Sequence, residues 1–320
     1  MSVFDTLLSP PVLFFLLGVF AALVRSDLAV PEQIAKGMSI YLMAAIGLKG
    51  GVQVASVGAS AEMLSAAALG IVLSFTLPLI AFGLLTKLGK LDRLNAGAVA
   101  AHYGSVSIVT YVTASQVLTS EGLAPAGFMV GVLALMETPA ILTGLILAKG
   151  GLKQDKASPG GNLWHEVMFN GSVLLLIGGL IIGMIIGEAG YTGIKPVFTV
   201  GFSGILCLFL LDMGLIAVRR LRESKSMRPV LAGIAIIVPL INGTIALFAA
   251  HALGLDVGTV TAFAMLAASA SYIAVPAAMR MALPQADPGL YLSMSLAVSF
   301  PFNIIVSIPL FTWAALSLAG

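Results

Sequence analysis

Hydroxyl and glycine residues form two small clusters inside otherwise apolar stretches of the chain. The first lies in the segment AHYGSVSIVTYVTASQ (101–116) and the second in ASASYIAVPAAMR (268–280). A helix that breaks at such a cluster begins its second half with free backbone N–H groups, which bind small anions together with neighbouring hydroxyls. Close packing of membrane helices on small residues is the alternative for either cluster alone. The candidate substrate-binding residues are Gly104, Ser105, Ser107, Thr110, Ser269, Ala270 and Ser271.

Three further residues carry side-chain oxygens inside apolar stretches: Glu137 in METPA, Asp212 in LLDMG and Asn303 in SFPFN. Charged groups are costly in a membrane, so we interpret these residues as candidate ligands of a coupling Na⁺ or as sites of proton coupling. The alternative is that Ser and Thr hydroxyls hold the carboxylates between helices.

Two more polar residues lie close to these candidates. His102 directly precedes the first cluster, and Asn242 lies in another apolar stretch. We expect both to make hydrogen bonds between helices, and a proton relay is the alternative role for His102.

The elements that position these residues are membrane helices. Of the 320 residues, 59% are hydrophobic and only 9% are charged, whereas a soluble domain carries about 25% charged residues. Runs of about 20 apolar residues cross a bilayer as helices. Ten such stretches are predicted: 10–24, 31–48, 61–86, 94–118, 125–148, 164–187, 194–218, 229–253, 257–283 and 290–318.

Basic residues alternate between the connections of these stretches. Fourteen of the sixteen Lys and Arg residues fall in the connections after the first, third, fifth, seventh and ninth stretches, and only Lys49 and Lys195 lie on the other side. Positive charge stays on the cytoplasmic side, which predicts that both termini face outward. Lys49, followed by Gly50 and Gly51, is expected to end the second span and to extend its amine to the interface.

An odd number of spans in each half predicts an inverted repeat. Residues 1–148 form the first five-helix repeat, 149–161 a cytoplasmic linker, and 162–320 the second repeat in the opposite orientation. An offset of 166 residues places GSVSIVT (104–110) over ASYIAVP (270–276). Helices broken at corresponding places in two inverted halves are typical of transporter binding sites at the membrane midplane.

Enzyme and nucleic-acid signatures are not found in the sequence. It contains neither GxxxxGK[ST] nor HExxH, and the serine clusters have no matching His and Asp pattern. The sequence also lacks a basic patch interleaved with aromatic residues, the pattern that would indicate nucleic-acid binding. We therefore expect neither an enzyme nor a bound cofactor, with Na⁺ acting only as the coupling ion.

The two clusters, METPA and VSFPFN (298–303) resemble motifs of the sodium-dependent bicarbonate permease family. The resemblance runs through both halves. It implies ten helices in two inverted repeats with crossed broken helices, core and gate domains, a homotrimer, and symport of HCO₃⁻ with Na⁺ across a bacterial cytoplasmic membrane. It also implies a PII-like regulator on the cytoplasmic face, for which the basic segment 219–228 is one docking surface and absence of the regulator the alternative.

Three other functions are open to a chain with these features. A bile-acid-symporter-like protein would carry another small anion or organic acid on the same two broken helices. A Na⁺/H⁺ antiporter would need a titrating carboxylate close to the crossing, and neither cluster contains one. A receptor or scaffold would show no Na⁺-dependent substrate binding and would leave the duplicated clusters unexplained.

Ser105→Leu and Ser271→Leu should each abolish anion uptake while leaving membrane insertion intact, because each places a bulky apolar side chain at one predicted break. Transport into proteoliposomes, normalised to inserted protein, measures the effect. Normal transport by both variants would show that the anion site lies elsewhere.

Overall fold

The computed structural model describes residues 9–58, 60–150, 171–223 and 227–320. Every regular element in these ranges is helical, which confirms the predicted all-α class. Of the predicted linker, only Lys149 and Gly150 are described, and residues 151–161 lie outside the described ranges.

Helices lie in all ten predicted stretches, and two of the stretches hold two helices each. Within the described ranges the helices are α1 (Pro10–Leu23), α2 (Glu32–Val57), α3 (Ala61–Lys87), α4 (Arg93–Gly104), α5 (Ile108–Ser120), α6 (Met129–Lys149), α7 (Gly171–Thr192), α8 (Phe202–Glu223), α9 (Pro229–Ala252), α10 (Val257–Ala268), α11 (Ala274–Ala282) and α12 (Pro288–Ala319). A π-helical turn, Pro196–Val200, leads into α8, and α12 contains two more, Ser293–Ser299 and Asn303–Ser307.

Seven of the helices in the described part of the chain are long and apolar enough to cross a membrane. They are α2, α3, α6, α7, α8 with its preceding π-helical turn, α9 and α12. Many of their large apolar side chains face outward, with Ile185 and Val200 each 78% exposed. Apolar surface on this scale needs lipid as its solvent, so the chain is a multi-pass membrane protein.

Helices α2 and α7 pack backbone to backbone through glycine. A Cβ atom on Gly51 would lie 2.0 Å from the Leu180 carbonyl oxygen, and one on Gly183 would lie 2.3 Å from the Leu48 carbonyl oxygen. Each helix contributes a GxxxG motif, a spacing that allows close approach of two membrane helices. The four glycines are Gly47, Gly51, Gly179 and Gly183. Helices α1 and α8 pack in the same way through Gly18 and Gly214.

The predicted end of the second span is wrong. Helix α2 continues past Lys49 to Val57, so Lys49, Gly50 and Gly51 lie inside it. The glycines do not end the helix because they face neighbouring backbone: Gly51 lies against α7 and Gly50 against the Gly127 carbonyl. The packing energy gained there outweighs the weak helix propensity of glycine, which costs about 1 kcal/mol per residue relative to alanine.

The remaining long helices surround the two short helices α4 and α10. Helices α3 and α6 pack on α4, and α9 and α12 pack on α10. Both short helices are rich in Ala and Gly, and residues 96–104 and 258–268 are all buried. A helix that is apolar on every face is stable only when it is enclosed in this way.

Matching aspartates cap the two short helices. The Asp92 carboxylate accepts from the Asn95 backbone N–H at 3.0 Å, and the Asp256 carboxylate accepts from the Thr259 N–H at 3.1 Å. The Asn95 side chain also donates to Asp92, and these hydrogen bonds hold the pKa of the exposed Asp92 carboxyl below its usual value. The cap is therefore retained at neutral pH and lost as the pH falls through that lowered pKa.

Gly183→Ala should destabilise the protein, because the added methyl collides with the α2 backbone. Gly178→Ala is the matched control in the same helix, since a Cβ there meets nothing within 4 Å. We expect Gly178→Ala to be neutral or to stabilise by up to about 1 kcal/mol through helix propensity. Thermal unfolding in detergent measures both, and equal melting temperatures would contradict the proposed contact.

Candidate functional site

Two buried interruptions of the helices form the centre of the molecule. Helix α4 ends at Gly104 and α5 begins at Ile108, while α10 ends at Ala268 and α11 begins at Ala274. Helices α4 and α10 both end in the same extended conformation, with ψ of 174° at Ser105 and 163° at Ser269. The structure thus has non-helical backbone within both predicted clusters.

The two interruptions hydrogen-bond to each other. The Ser107 backbone N–H donates to the Ser269 hydroxyl at 2.8 Å, and the Ser271 N–H donates to the His102 carbonyl at 2.9 Å. The His102 ring Nδ1 lies 2.5 Å from the Ser271 carbonyl. A carbonyl only accepts, so Nδ1 carries the proton in this contact. Each break thus satisfies some of the backbone groups that the other leaves free, as a membrane interior requires.

Asparagine amides cap the C-terminal ends of α4 and α10. Asn242 of α9 donates to the Tyr103 carbonyl at 3.0 Å, and Asn303 of α12 donates to the Ala268 carbonyl at 2.9 Å. The last carbonyls of a helix have no partner within it, so these amides stabilise the breaks. The hydrogen bond predicted for Asn242 is confirmed. Asn303, a predicted Na⁺ ligand, also accepts from the Ser307 hydroxyl at 2.8 Å.

The Ser74 hydroxyl of α3 binds the turn of α6 that contains Glu137. The Ser74 hydroxyl of α3 donates to the Met136 carbonyl at 2.5 Å and accepts from the Ala140 N–H at 3.1 Å. An uninterrupted helical turn would pair that carbonyl with that N–H. Pro139, which lacks an N–H, lies in the same turn. Ser74 therefore helps to shape the helix where the carboxylate projects.

A narrow cavity lies between the two interruptions and α6. In this conformation its free space does not admit a water molecule, so an ion could enter only if the lining side chains moved apart. Three predicted site residues, Ser107, Glu137 and Ser271, line it together. The full lining is Val106, Ser107, Ile108, Glu137, Ser271, Tyr272 and Ile273.

The cavity combines one carboxyl group with hydroxyls and with the starts of two helices. No Lys or Arg is among its lining residues. Helix α5 begins there with Ser107 as its cap, accepting from the Thr110 N–H at 3.2 Å, and α11 begins beside Ile273. Helix N-termini attract negative charge, whereas Glu137 attracts positive charge. The arrangement suits an anion and a cation bound side by side.

Several buried polar atoms around this cavity have no hydrogen-bond partner within the described residues. They include Oε2 of Glu137, which lines the cavity, and Oγ1 of Thr110 in the first turn of α5. Each such group costs about 1–3 kcal/mol when it stays unpaired. An unpaired carboxyl oxygen beside a cavity indicates a site that water or a ligand completes.

Four other predicted residues surround the cavity without lining it. The Ser105 hydroxyl donates to the Glu137 carbonyl at 3.2 Å, and Ser269 donates to Leu266 while accepting from Ser107. Thr110 lies in the first turn of α5, and Ala270 is buried within the second interruption.

Gly104 and Asp212 have surroundings that the sequence did not predict. A Cβ on Gly104 would lie 2.1 Å from Pro78 Cγ, so this glycine allows close packing with α3. Asp212 is buried on α8, which packs mainly on α1, and it does not line the cavity.

Sequence reasoning selected the serines but not all of their neighbours. Tyr272 follows the selected Ser271 and was not selected itself. His102, for which the sequence predicted a hydrogen bond between helices, also stacks on Tyr291 with ring centroids 4.6 Å apart. Val106, Ile108 and Ile273 form apolar walls, for which a hydrophobic stretch carries no distinguishing signal.

Ser269→Ala should lower stability, because it leaves the buried Ser107 N–H without an acceptor at a cost of about 1–3 kcal/mol. Ser295→Ala is the matched control: Ser295 is equally buried, but its hydroxyl donates only to the Tyr291 carbonyl in its own helix. Thermal unfolding in detergent compares the two. A smaller loss for Ser269→Ala than for Ser295→Ala would mean that the contact between the interruptions contributes little.

Comparison with known protein families gives a match over nearly the whole chain. A sequence model of the Na⁺-dependent bicarbonate transporter superfamily matches residues 10–316. The matched region includes both interruptions, Glu137 and all the other residues described above. Comparison with individual curated proteins gives no match.

Proposed function

This chain belongs to the Na⁺-dependent bicarbonate transporter superfamily, and we propose that it is a symporter that imports bicarbonate with Na⁺ by alternating access. The observation that carries the proposal is the cavity at the two interruptions, where a carboxylate and two helix N-termini face the same space without a basic side chain.

Bicarbonate is a planar monoanion with several hydrogen-bond acceptors and one donor. Ser107, Ser271 and the first N–H groups of α5 and α11 can donate to it. Glu137 opposes it, since two unit charges 4 Å apart interact by about 4 kcal/mol at an effective dielectric constant of 20. A Na⁺ ion between the two negative groups would reverse that repulsion. Each ion then raises the affinity for the other, which is the thermodynamic basis of coupling.

Glu137 is the Na⁺ ligand that the geometry favours most among the predicted ligands. Its Oε2 atom is buried without a hydrogen bond in the described part of the structure. Asn303 holds the end of α10 and would act through its amide oxygen. Asp212 does not line the cavity, so a role for it as a Na⁺ ligand would require a second, separate ion position.

The proposed architecture has ten spans. Seven long helices and α1 provide eight, and α4–α5 and α10–α11 each make one interrupted span. The two halves, 1–148 and 162–320, form the inverted repeats. The helix pairs α1–α8 and α2–α7 support this arrangement, because exchanging the halves converts one pair into the other.

The interrupted spans support the same repeat in detail. Helices α4 and α10 each contain 12 residues, and their C-caps Ser105 and Ser269 are 164 residues apart (269 − 105). The second halves start at Ile108 and Ala274, which are 166 residues apart (274 − 108). The offset of 166 residues therefore relates α5 to α11 but not α4 to α10, because the second interruption is two residues longer than the first.

Contacts among the basic connections support one cytoplasmic face. Arg222 donates to the Ala22 and Leu23 carbonyls, Arg228 to the Gly89 carbonyl, and Arg93 to the Leu147 carbonyl. These bonds join the connections after the first, third, fifth and seventh spans. Both termini are then outside the cytoplasmic membrane of a bacterium.

Two assembly features come from the family resemblance and stay proposals: a homotrimer and a PII-like regulator on the cytoplasmic face. The surface considered for the regulator is the basic segment 219–228, and two of its side chains already bind other parts of the chain. Arg219 donates to the Leu28 carbonyl and Arg222 to the end of α1. Residues 224–226 of that surface lie outside the described ranges.

Na⁺/H⁺ exchange is the second candidate function, and Glu137 is the observation that favours it. The sequence placed no carboxylate in either interruption, but the structure has Glu137 of α6 facing both of them. An exchanger would move Na⁺ against protons in the absence of bicarbonate.

Uptake of labelled bicarbonate into proteoliposomes tests the function. We expect uptake that requires an inward Na⁺ gradient and is absent when K⁺ replaces Na⁺ at the same pH, after subtraction of passive CO₂ entry into empty vesicles. Na⁺ flux that proceeds without bicarbonate and acidifies or alkalinises the lumen would instead establish exchange. Na⁺-dependent uptake of a carboxylate with no uptake of bicarbonate would assign a different substrate.

Glu137→Gln should reduce Na⁺-dependent uptake by about 5- to 150-fold, the range expected when a coupling interaction between two sites is lost. The control is Glu188→Gln, because Glu188 is exposed and pairs with Lys195 at the protein surface. Uptake at saturating Na⁺, normalised to reconstituted protein, measures the change. Unaltered Na⁺ dependence in Glu137→Gln would exclude Glu137 as the coupling ligand.

A further inference from the structure

A second, larger cavity of about 90 Å³ lies between α2, α5 and the connection that precedes α6. It shares no lining residue with the cavity at the interruptions. Its lining residues are Ile46, Lys49, Gly50, Gln53, Tyr111, Ser115, Gln116, Thr119, Ala124, Pro125, Ala126, Gly127, Val130 and Phe202.

Lys49 is the one charged residue that lines this cavity. It lies inside α2 and is partly buried, with its ammonium 5.6 Å from the ring centroid of Phe202. No carboxylate lines the cavity, and Lys49 forms no ion pair in the described ranges. An ammonium within a membrane helix is costly, and a cation–π contact repays only part of that cost. Helix packing alone therefore does not explain the presence of the Lys49 charge.

The wall opposite Lys49 is the polar face of α5. Tyr111, Ser115, Gln116 and Thr119 line the cavity at helical spacing, so they lie on one side of the helix. Hydroxyl and amide groups can donate hydrogen bonds to the oxygens of an anion.

Helix α5 also connects the two cavities. It begins at the interruption with Ser107 as its cap. At 1.5 Å per residue, Tyr111 is about 6 Å and Thr119 about 18 Å along the axis from Ser107. An anion that moves along this face from Thr119 would reach Tyr111 one turn before the first interruption.

We propose that the cavity around Lys49 is an antechamber that collects small monovalent oxyanions from the outer side and delivers them along α5 to the interruptions. Its Lys49 charge raises the local anion concentration, an effect that low-dielectric cavity walls strengthen. Its role in uptake and its outward side rest on the proposed function and orientation. The positive potential of the cavity depends on neither.

Kinetics of the full-length transporter test the role in uptake. Lys49→Gln should raise the KM for bicarbonate about tenfold at low ionic strength with little change in kcat, and the difference should shrink with added salt because salt screens the charge. Lys49→Arg should retain the normal KM. Lys195→Gln is the control, because it removes the other lysine of that side, which is exposed and paired with Glu188. A Lys49→Gln variant with an unchanged KM at low salt would overturn the proposal.

Thiol labelling tests the potential without any transport. The single cysteine, Cys207, is replaced by alanine and a reporter is introduced by Ser115→Cys, a nearly isosteric change at the cavity wall. Small anionic and cationic methanethiosulfonates are compared. With Lys49 present we expect the anionic reagent to be favoured, and with Lys49→Gln the ratio of rates should fall about tenfold.

The two experiments separate this proposal from the function. A Lys49-dependent labelling ratio in a protein without bicarbonate uptake would support an anion antechamber and reject the bicarbonate function. Bicarbonate uptake combined with a labelling ratio that ignores Lys49 would support the function and overturn the antechamber. Unfolding of Lys49→Gln is checked by its melting temperature, and Lys49→Met, of similar length and without charge, then replaces it in both assays.

Discussion

The satisfaction of backbone hydrogen bonds inside a membrane is the constraint on which the rest of this structure depends. Two helices are interrupted in the buried interior of the protein, where little water is available to bind the freed groups. Hydrogen bonds between the two interruptions satisfy some of these groups, joining Ser107 to Ser269 and His102 to Ser271. Asn242 and Asn303 complete the helix ends from outside. Among the atoms that stay without a hydrogen bond in the described ranges is Oε2 of Glu137, which lines the small cavity where a ligand can bind.

The helices around this centre pack in two different ways. The pairs α1–α8 and α2–α7 meet through glycines at backbone contact, whereas α4 and α10 are wrapped by larger neighbours. Backbone contact leaves little room for relative movement within each glycine-packed pair. The antechamber, by contrast, has walls from both sets of helices, with Lys49 from one and Ser115 from the other. Any movement between the sets would change its width.

Most of the helix boundaries could be predicted from the sequence, because apolar length and the small polar clusters are local properties. The serines were found for the same reason. Contacts between segments that are distant in the sequence were not predictable. Gly104 packs on Pro78, and Gly51 packs on α7 inside a helix that the Gly50–Gly51 pair was predicted to end. Glu137 was identified as a polar residue, but its arrival at the crossing depends on how α6 packs, which no spacing within METPA specifies.

The unequal length of the two interruptions has an energetic consequence. The first runs over residues 105–107 and the second over residues 269–273. Two identical inverted halves would make the outward-facing and inward-facing states equivalent, with equal resting populations and equal affinities on the two sides. If the halves form the proposed inverted repeats, the two additional residues are one of the differences that remove that equality. A transporter built this way can rest mostly in one state and release its cargo more readily on one side, while the direction of net flux still follows the ion gradient.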